Sequence, residues 1–430
     1  MTTLDQSRHL RYGTFFYLYV MQGIPSGLAL TALTNYLAAE GVDARRLATF
    51  GTVVGLPWGI KFIWGPLIDR FQRSAMGRRR PWVLGAQIMA FLASLGLLLP
   101  TDPVHTIDQL MWSFALHGVF ASLQDVSVDA MAITSVPTPE RGRVNALMKG
   151  GMVTGQAMGA AGLALVIHHQ GFHAAALAQS TLLFVLTILT FFIRERAGDA
   201  WLSFRQLPVA ASPNQPTSMS GLIGKLLRAL LDRHSLIVFG SVAIVFIGER
   251  LFQRVYGLYL IREAGWTDTA VSVLSGTYGT LVALALALAG GWLSDRIGSK
   301  RLLGGMVLAM ATLHVGFSLG HSGWANPAVA TSGLVVRQTL EPLFSIAALP
   351  VLMGLCRPQV AGAQFAFYMA LSNQADLVGI YLSGVLYSQC PSWVIGLGCG
   401  LAMLGAWLAL RLLTGSSTPN RFTMEQAPGN

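Results

Sequence analysis

Apolar residues dominate twelve stretches of this 430-residue chain, each bounded by charged or turn-forming residues. They cover roughly 13–39, 45–68, 81–100, 108–135, 144–168, 172–193, 235–261, 269–293, 301–320, 326–355, 360–388 and 391–413. A helix needs about 20 predominantly apolar residues to cross a bilayer. The pattern therefore predicts an all-α polytopic membrane protein with twelve transmembrane helices. Met1–Tyr12 is polar, and the first apolar run is a full span with no small-residue cleavage site after it, so no cleavable leader is expected.

Composition supports the same class. The chain is 53% hydrophobic and 11% charged, where a soluble domain carries about 25% charged residues. A soluble enzyme, a secreted disulfide scaffold and a single-anchor receptor are excluded. Three cysteines (Cys356, Cys390, Cys399) form no CxxC pair, so neither a disulfide framework nor a thiolate metal site is encoded, and no cofactor is expected.

The net charge of +10 is a matter of topology. Alternate loops on the side holding both termini carry 22 of the Lys and Arg residues, and the opposite loops carry 3. The bias predicts cytoplasmic termini rather than nucleic-acid binding. Residues 194–234 form the longest polar stretch. Within it, 221–233 places Leu222, Leu226, Leu227, Leu230 and Leu231 at helical spacing, with Lys225, Arg228 and Arg233 off that face. This predicts an amphipathic helix at the inner leaflet. The expected domains are a six-helix bundle over 1–193, the linker 194–234, a second bundle over 235–413 and a tail over 414–430.

The two bundles echo one another. Gly65-Pro-Leu-Ile-Asp69-Arg70 followed by Gly77-Arg78-Arg79-Arg80 closes span two, and Gly291-Trp-Leu-Ser-Asp295-Arg296 followed by Gly298-Ser-Lys300-Arg301 closes span eight. Duplicated six-span units mark secondary transporters, whose solute site lies between the repeats. These loops resemble the loop motif of the major facilitator superfamily, and the resemblance implies that Asp69, Arg70, Asp295 and Arg296 lock one conformation. A narrower likeness covers most of the first half. Gly55-Leu-Pro57-Trp-x-x-Lys61-Phe62-x-Trp64-x-Pro66-x-x-Asp69-Arg70, Gln124-Asp125-x-x-x-Asp129-Ala130 and Glu140-Arg141-Gly142-Arg143 resemble the AmpG-like group, which includes muropeptide, acetyl-coenzyme A and siderophore permeases. The run Arg141-Gly-Arg-Val-Asn-Ala-Leu-Met148 is most similar to the siderophore branch; residues 235–413 carry the likeness in architecture alone. The family resemblance implies a bacterial inner membrane.

Eight ionisable residues fall in the body of spans: Asp125, Asp129, Glu249, Arg250, Arg254, Arg337, Glu341 and Asp376, with Lys61 nearer an end. Each costs about 2.5–3.5 kcal/mol or more at the centre of a lipid-facing helix, so they must face one another or a hydrated cavity. Seven of the eight sit on spans four, seven and ten, which the superfamily resemblance places, with span one, around a central cavity.

Asp125 and Asp129 share a face at i,i+4, either as a cation or proton site or as a structural pair held by Lys61 or loop arginines. Arg250 and Arg254 also share a face and need an anionic partner: Asp376, Glu341 or an acidic solute. Arg337 and Glu341 can bridge along span ten, where Pro342 suggests a kink. Asp376 has no cation within a turn of its own helix, which makes it the first candidate for a proton carrier, against the alternative of a plain partner for a span-seven arginine. Glu249 and Glu341 join the proton-coupling candidates. Gln22, Tyr256, Arg337, Tyr368 and Asn373 complete the expected solute site, with Tyr17, Gln364 and Gln374 as further polar or aromatic candidates.

Two glycine stripes, Gly51-x3-Gly55-x3-Gly59 and Gly151-x3-Gly155-x3-Gly159, predict close helix packing, and the resemblance puts both at the contact between the bundles. Pro25, between Gly23 and Gly27, is expected to break span one. Histidines gather on the outward side, His168, His169 and His173 with His105 and His321 nearby, but the HHxxxH run without an acidic or cysteine partner is a weak metal site.

No Walker loop is present, so a gradient must supply the work. The twin aspartates lie on one helix rather than two facing segments, against an aspartyl-protease reading. The expected function is a secondary active transporter, not an enzyme. It would import a siderophore-like or other anionic organic solute with protons, as a monomer among membrane lipids; a muropeptide permease is the alternative, ahead of an efflux pump.

Overall fold

The computed structural model describes residues 3–70, 74–137, 140–203, 227–279, 282, 296–356 and 361–415. Twelve helical passes appear among them: α1 (Arg8–Ala39), α2 (Ala44–Gly59, extended by Lys61–Ile63 and Trp64–Arg70), α3 (Arg80–Leu98), α4 (Ile107–Ser135), α5 (Arg141–Ala157, running through Met158–Gly162 into Leu163–Gln170), α6 (Phe172–Phe191), α7 (Arg233–Arg262), α8 (Asp268–Leu274 and Ser275–Gly279), α9 (Ser299–Leu319), α10 (Pro327–Gly354), α11 (Ala361–Tyr387) and α12 (Ser392–Gly415). Eight are long and apolar enough to cross a membrane. Most of the linker, the second half of span eight with Asp295, and the tail lie outside the described residues. So do 221–226 of the expected amphipathic helix; residues 227–230 are helical.

Local chemistry sets where the passes begin. Asp43 accepts from the amides of Arg45 and Arg46, Asp232 from Ser235, Thr267 from Ala270, and Asn326 caps α10 ahead of Pro327. Each side-chain oxygen satisfies a donor that the first helical turn leaves open. On the side of the termini, the Glu195 carboxylate accepts the amides of Arg78, Arg79 and Arg80 at 3.2, 2.7 and 2.5 Å, closing the start of α3. Burial pushes this carboxyl up from its ordinary range, while those amides act the other way. Arg11 grips Glu140 with a two-pronged contact at 2.8–3.0 Å and donates to the Leu4 carbonyl at 2.8 Å.

Span one is not broken at Pro25. The helix runs through it and turns π-helical over Leu28–Leu33. Met158–Gly162 of α5 and Ser275–Gly279 of α8 are π-helical too, and the α5 segment touches the other two. Such bulges free carbonyls from the helical ladder and recur at functional sites. Span ten is helical through Pro342.

The glycine stripes divide in role. A Cβ at Gly51, Gly55 or Gly59 would meet Ile380, Leu377 or Gln374 of α11, so this stripe does join the first six passes to the last six. The second stripe does not. Gly151, Gly155 and Gly159 lie against the backbone of α1 at Phe16, Val20 and Ile24, and Gly23 and Gly27 return the contact from α1. Five glycines let two helices of the same half meet backbone to backbone. On α5 the contact with the other half is made one turn on, where Ala160 and Ala161 face Gly276.

Candidate functional site

Between the halves lies a cavity of about 380 Å³. Its wall takes Thr31, Thr34 and Asn35 from α1, Trp58 from α2, Gln156 from α5, Arg250, Gln253 and Arg254 from α7, Gln338 from α10, and Asn373 and Asp376 from α11. Polar positions in apolar helices thus converge on one space, as the cost of exposing them to lipid requires.

The cations of α7 are held differently. Arg250 Nε lies 3.5 Å from Asp376 Oδ1, and its NH1 donates to Gln253 Oε1 at 2.8 Å. Gln253 in turn donates to Gln338 at 2.9 Å. Arg254, one turn beyond Arg250, donates to the Leu30 carbonyl inside the π-helical segment of α1 at 2.5 Å. Among the described residues Arg254 makes no ion pair. The cavity therefore presents one guanidinium matched to a carboxylate and one held only by a neutral carbonyl.

Several expected site residues lie elsewhere. Tyr256 is fully buried and donates to the Ala330 carbonyl at 3.3 Å. Tyr368 stacks on Phe239 and accepts from Gln364 at 3.1 Å. Gln22 is buried in the first half, its amide without a hydrogen bond among the described residues, and Tyr17 pairs with Thr190. Arg337 does not reach the cavity. It lies in the last six passes beside His314, with its guanidinium 3.9 Å from the Phe252 ring centre. Glu249 is there too, behind the α7 wall. The side chains of Glu341, Asp69 and Arg70 lie outside what is described, so the expected Arg337–Glu341 bridge has only its Arg337 end here.

Lys61 Nζ meets Asp125 at 2.8 Å, and Tyr19 donates to Asp129. These contacts tie α2 and α1 to α4 inside one half, and neither aspartate is among the residues of the cavity wall. His168 and His169 have their rings in contact, and no group of three potential metal ligands occurs among the described residues.

Asn35, Thr31, Trp58, Gln156, Gln253 and Gln338 line the cavity without having been expected there. Gln253 and Gln338 could be read from their places beside Arg250 and Arg337 on spans already marked by charge. Asn35 and Gln156 carried no such signal. One further pattern, Gly316-Phe317-Ser318-Leu319-Gly320, spells a nucleophile-elbow string. Ser318 lies buried within α9 at its last turn, not on a strand-to-helix turn.

The halves are joined at the helix ends remote from the termini. Arg262 of α7 donates to the carbonyls of Ala38 and Val42, Asn35 to Ser272 at 2.8 Å, and Arg45 to Ser388 at 3.2 Å. At the cavity wall, Asn373 of α11 donates to the Trp58 carbonyl of α2 at 3.1 Å.

Two six-helix sets around a polar cavity define a multi-pass membrane transporter. The family model of the major facilitator superfamily matches residues 13–375, and the chain belongs to that superfamily. It is similar to the anhydromuropeptide permease of Escherichia coli, with 26% identity over 81% of this chain and 69% of that one. A match of that extent reaches well into the second half, so the likeness to this group is not confined to the first. Among solved structures, nucleoside transporter NupG superposes with a TM-score of 0.70 at 13% identity, covering 95% of this chain and 100% of that one. Peptide transporter POT with bound alafosfalin gives 0.69 at 14%, covering 96% of each. These two share the fold.

Proposed function

We propose that the protein imports an anionic, amide- and hydroxyl-rich organic solute of the muropeptide class by alternating access, driven by protons. The observation that carries this is Arg254, a guanidinium on the cavity wall with no ion pair among the described residues. A guanidinium fork suits a carboxylate, and the wall around it supplies Asn35, Gln156, Gln253, Gln338 and Asn373, donors and acceptors for sugar and peptide groups. The similarity to an anhydromuropeptide permease supports the same class.

The cycle follows from the pairing. A solute carboxylate binds Arg254 and competes with Asp376 for Arg250; Asp376, once displaced, takes a proton. Asp376 is then the proton carrier facing the cavity, and Arg250, Arg254 and Asn373 hold solute. The bundles 1–193 and 235–413 rock about the linker 194–234. With both termini cytoplasmic in an inner membrane, as the Lys and Arg distribution predicts, the joined ends face outward and the cavity is presented inward.

A siderophore is the second reading, favoured by the Arg141–Met148 run. The cavity wall, where Trp58 is the one aromatic ring among the described residues, is less suited to a catecholate than to a glycopeptide. The test is uptake in cells lacking their own muropeptide and siderophore permeases, with labelled anhydromuropeptide and ferric siderophore offered in parallel, with and without a protonophore. Protonophore-sensitive uptake of the muropeptide supports the proposal. Uptake of the siderophore alone replaces the solute; uptake of neither overturns import.

A further inference from the structure

The last six passes contain a polar cluster that the cavity does not use. Glu249 of α7, His314 of α9 and Arg337 of α10 are 2%, 0% and 4% exposed, deep in a membrane bundle. His314 Nδ1 donates to the Met310 carbonyl at 2.9 Å. That fixes the tautomer and leaves the single in-plane lone pair of Nε2 for whatever lies opposite. Two groups do: Arg337 NH1 at 3.3 Å and Glu249 Oε2 at 3.4 Å.

One nitrogen cannot serve both in the same protonation state. With Glu249 ionised and His314 neutral, the lone pair accepts from Arg337 at 3.3 Å, and Glu249 Oε2 stands 3.4 Å from the same nitrogen with no proton to share. A proton taken up by Glu249 resides on Oε2 and is donated to Nε2, and the Arg337 contact to Nε2 is then lost. Among the described residues, Tyr256 of α7 and Cys399 of α12 are further ionisable groups beside Arg337. The guanidinium is packed against Phe252, Phe317 and Tyr256 at 3.9, 4.8 and 5.4 Å. It thus has an aromatic seat in which to remain when it releases His314.

The cluster stands directly behind the cavity wall. Glu249 precedes Arg250 in α7, and Arg337 precedes Gln338 in α10, and both of those neighbours line the cavity. A change in how α7, α9 and α10 are tied at the cluster is therefore delivered to the two helices that carry Arg250, Gln253 and Gln338.

We propose that Glu249 and His314 together form a proton-binding site, separate from the solute cavity, in which a bound proton breaks the His314–Arg337 contact and so resets the α7–α10 face of the cavity. This goes beyond the import reading: it assigns a second titrating site and needs no particular solute.

The test is infrared difference spectroscopy of the purified, lipid-reconstituted protein between about pH 8 and pH 5, without solute. The wild type is expected to gain a protonated-carboxyl band that Glu249→Gln lacks. The same band is expected to move in frequency in His314→Gln, because its hydrogen-bond partner has changed, and to persist in Arg337→Lys. Asp125, Asp129 and Asp376 contribute bands that all three variants retain. A merely structural cluster would lower thermal stability in each variant and leave the carboxyl region unchanged. An identical spectrum in wild type and Glu249→Gln overturns the proposal; so does a band indifferent to His314→Gln, which answers the same question should Glu249→Gln fail to fold. Failure of the wild type to transport muropeptide would bear on the import reading and leave this result standing.

Discussion

Arg250 Nε sits 3.5 Å from Asp376 Oδ1, joining α7 to α11 across the cavity wall. The contact is long for a tight ion pair, and both side chains keep about a fifth of their surface open, at 22% and 23%. A pair of this kind exchanges partners readily, which is what competition with a solute carboxylate requires. Asp376→Asn removes the proposed proton carrier but keeps the cavity's cations. It is expected to support exchange of solute across proteoliposomes while abolishing accumulation driven by a pH gradient. Accumulation at the wild-type level in that variant would remove Asp376 from the coupling.

Lys61 and Asp125 make the opposite kind of pair, at 2.8 Å with the carboxylate 6% exposed. Removing one partner of a buried pair strands the other, at a cost of about 3–5 kcal/mol. Lys61→Met is expected to lower thermal stability strongly, and the double variant Lys61→Met, Asp125→Asn to recover most of the loss. Non-recovery in thermal unfolding would show that Asp125 is not stranded by loss of Lys61.

The two glycine stripes are expected to separate folding from cycling. At Gly155 a Cβ would come 2.9 Å from the Gly23 Cα, and still closer to a carbonyl of α1, so backbone must move. At Gly55 the obstacle is the Leu377 side chain, which can turn. Gly155→Ala should reduce the yield of folded protein, whereas Gly55→Ala should fold and shift the balance of conformations, read from distances between spin labels on the two halves. Equal expression of both with unaltered distances would contradict this division.

Arg262 closes the ends remote from the termini by donating to Ala38 and Val42. Arg262→Ala is expected to raise amide hydrogen exchange across residues 34–42, with exchange in α3 unchanged. Protection equal to the wild type would mean the closure does not depend on this side chain.

The helices were legible in the sequence because lipid imposes a one-dimensional rule. An apolar run of the right length is a span, and the observed ends fall within a few residues of those expected for eleven of the twelve. The need for a cavity was legible from the cost of Arg250, Arg254 and Asp376. What could not be read was which buried charges meet. Arg337 pairs with His314, a residue 23 positions away that looks like ordinary apolar-helix content; only three-dimensional packing joins them. The glycines of α5 gave close packing but not its partner, since a smooth face fits any helix. Asn35 and Gln156 escaped notice because a single amide in a span carries little cost, and nothing in its spacing marks the direction it faces.

The central claim is that the Arg254 guanidinium, which has no ion pair among the described residues, recruits an anionic solute. The most direct measurement compares transport of anhydromuropeptide with that of its uncharged carboxamide analogue into proteoliposomes, for the wild type and Arg254→Gln. Hydrogen bonds to a charged group contribute about 1.5–3 kcal/mol, so the wild type should favour the acid by about tenfold or more in kcat/KM. Arg254→Gln should lose that preference while still moving the neutral analogue. A wild type indifferent to the charge, or a variant that keeps the preference, would contradict the account.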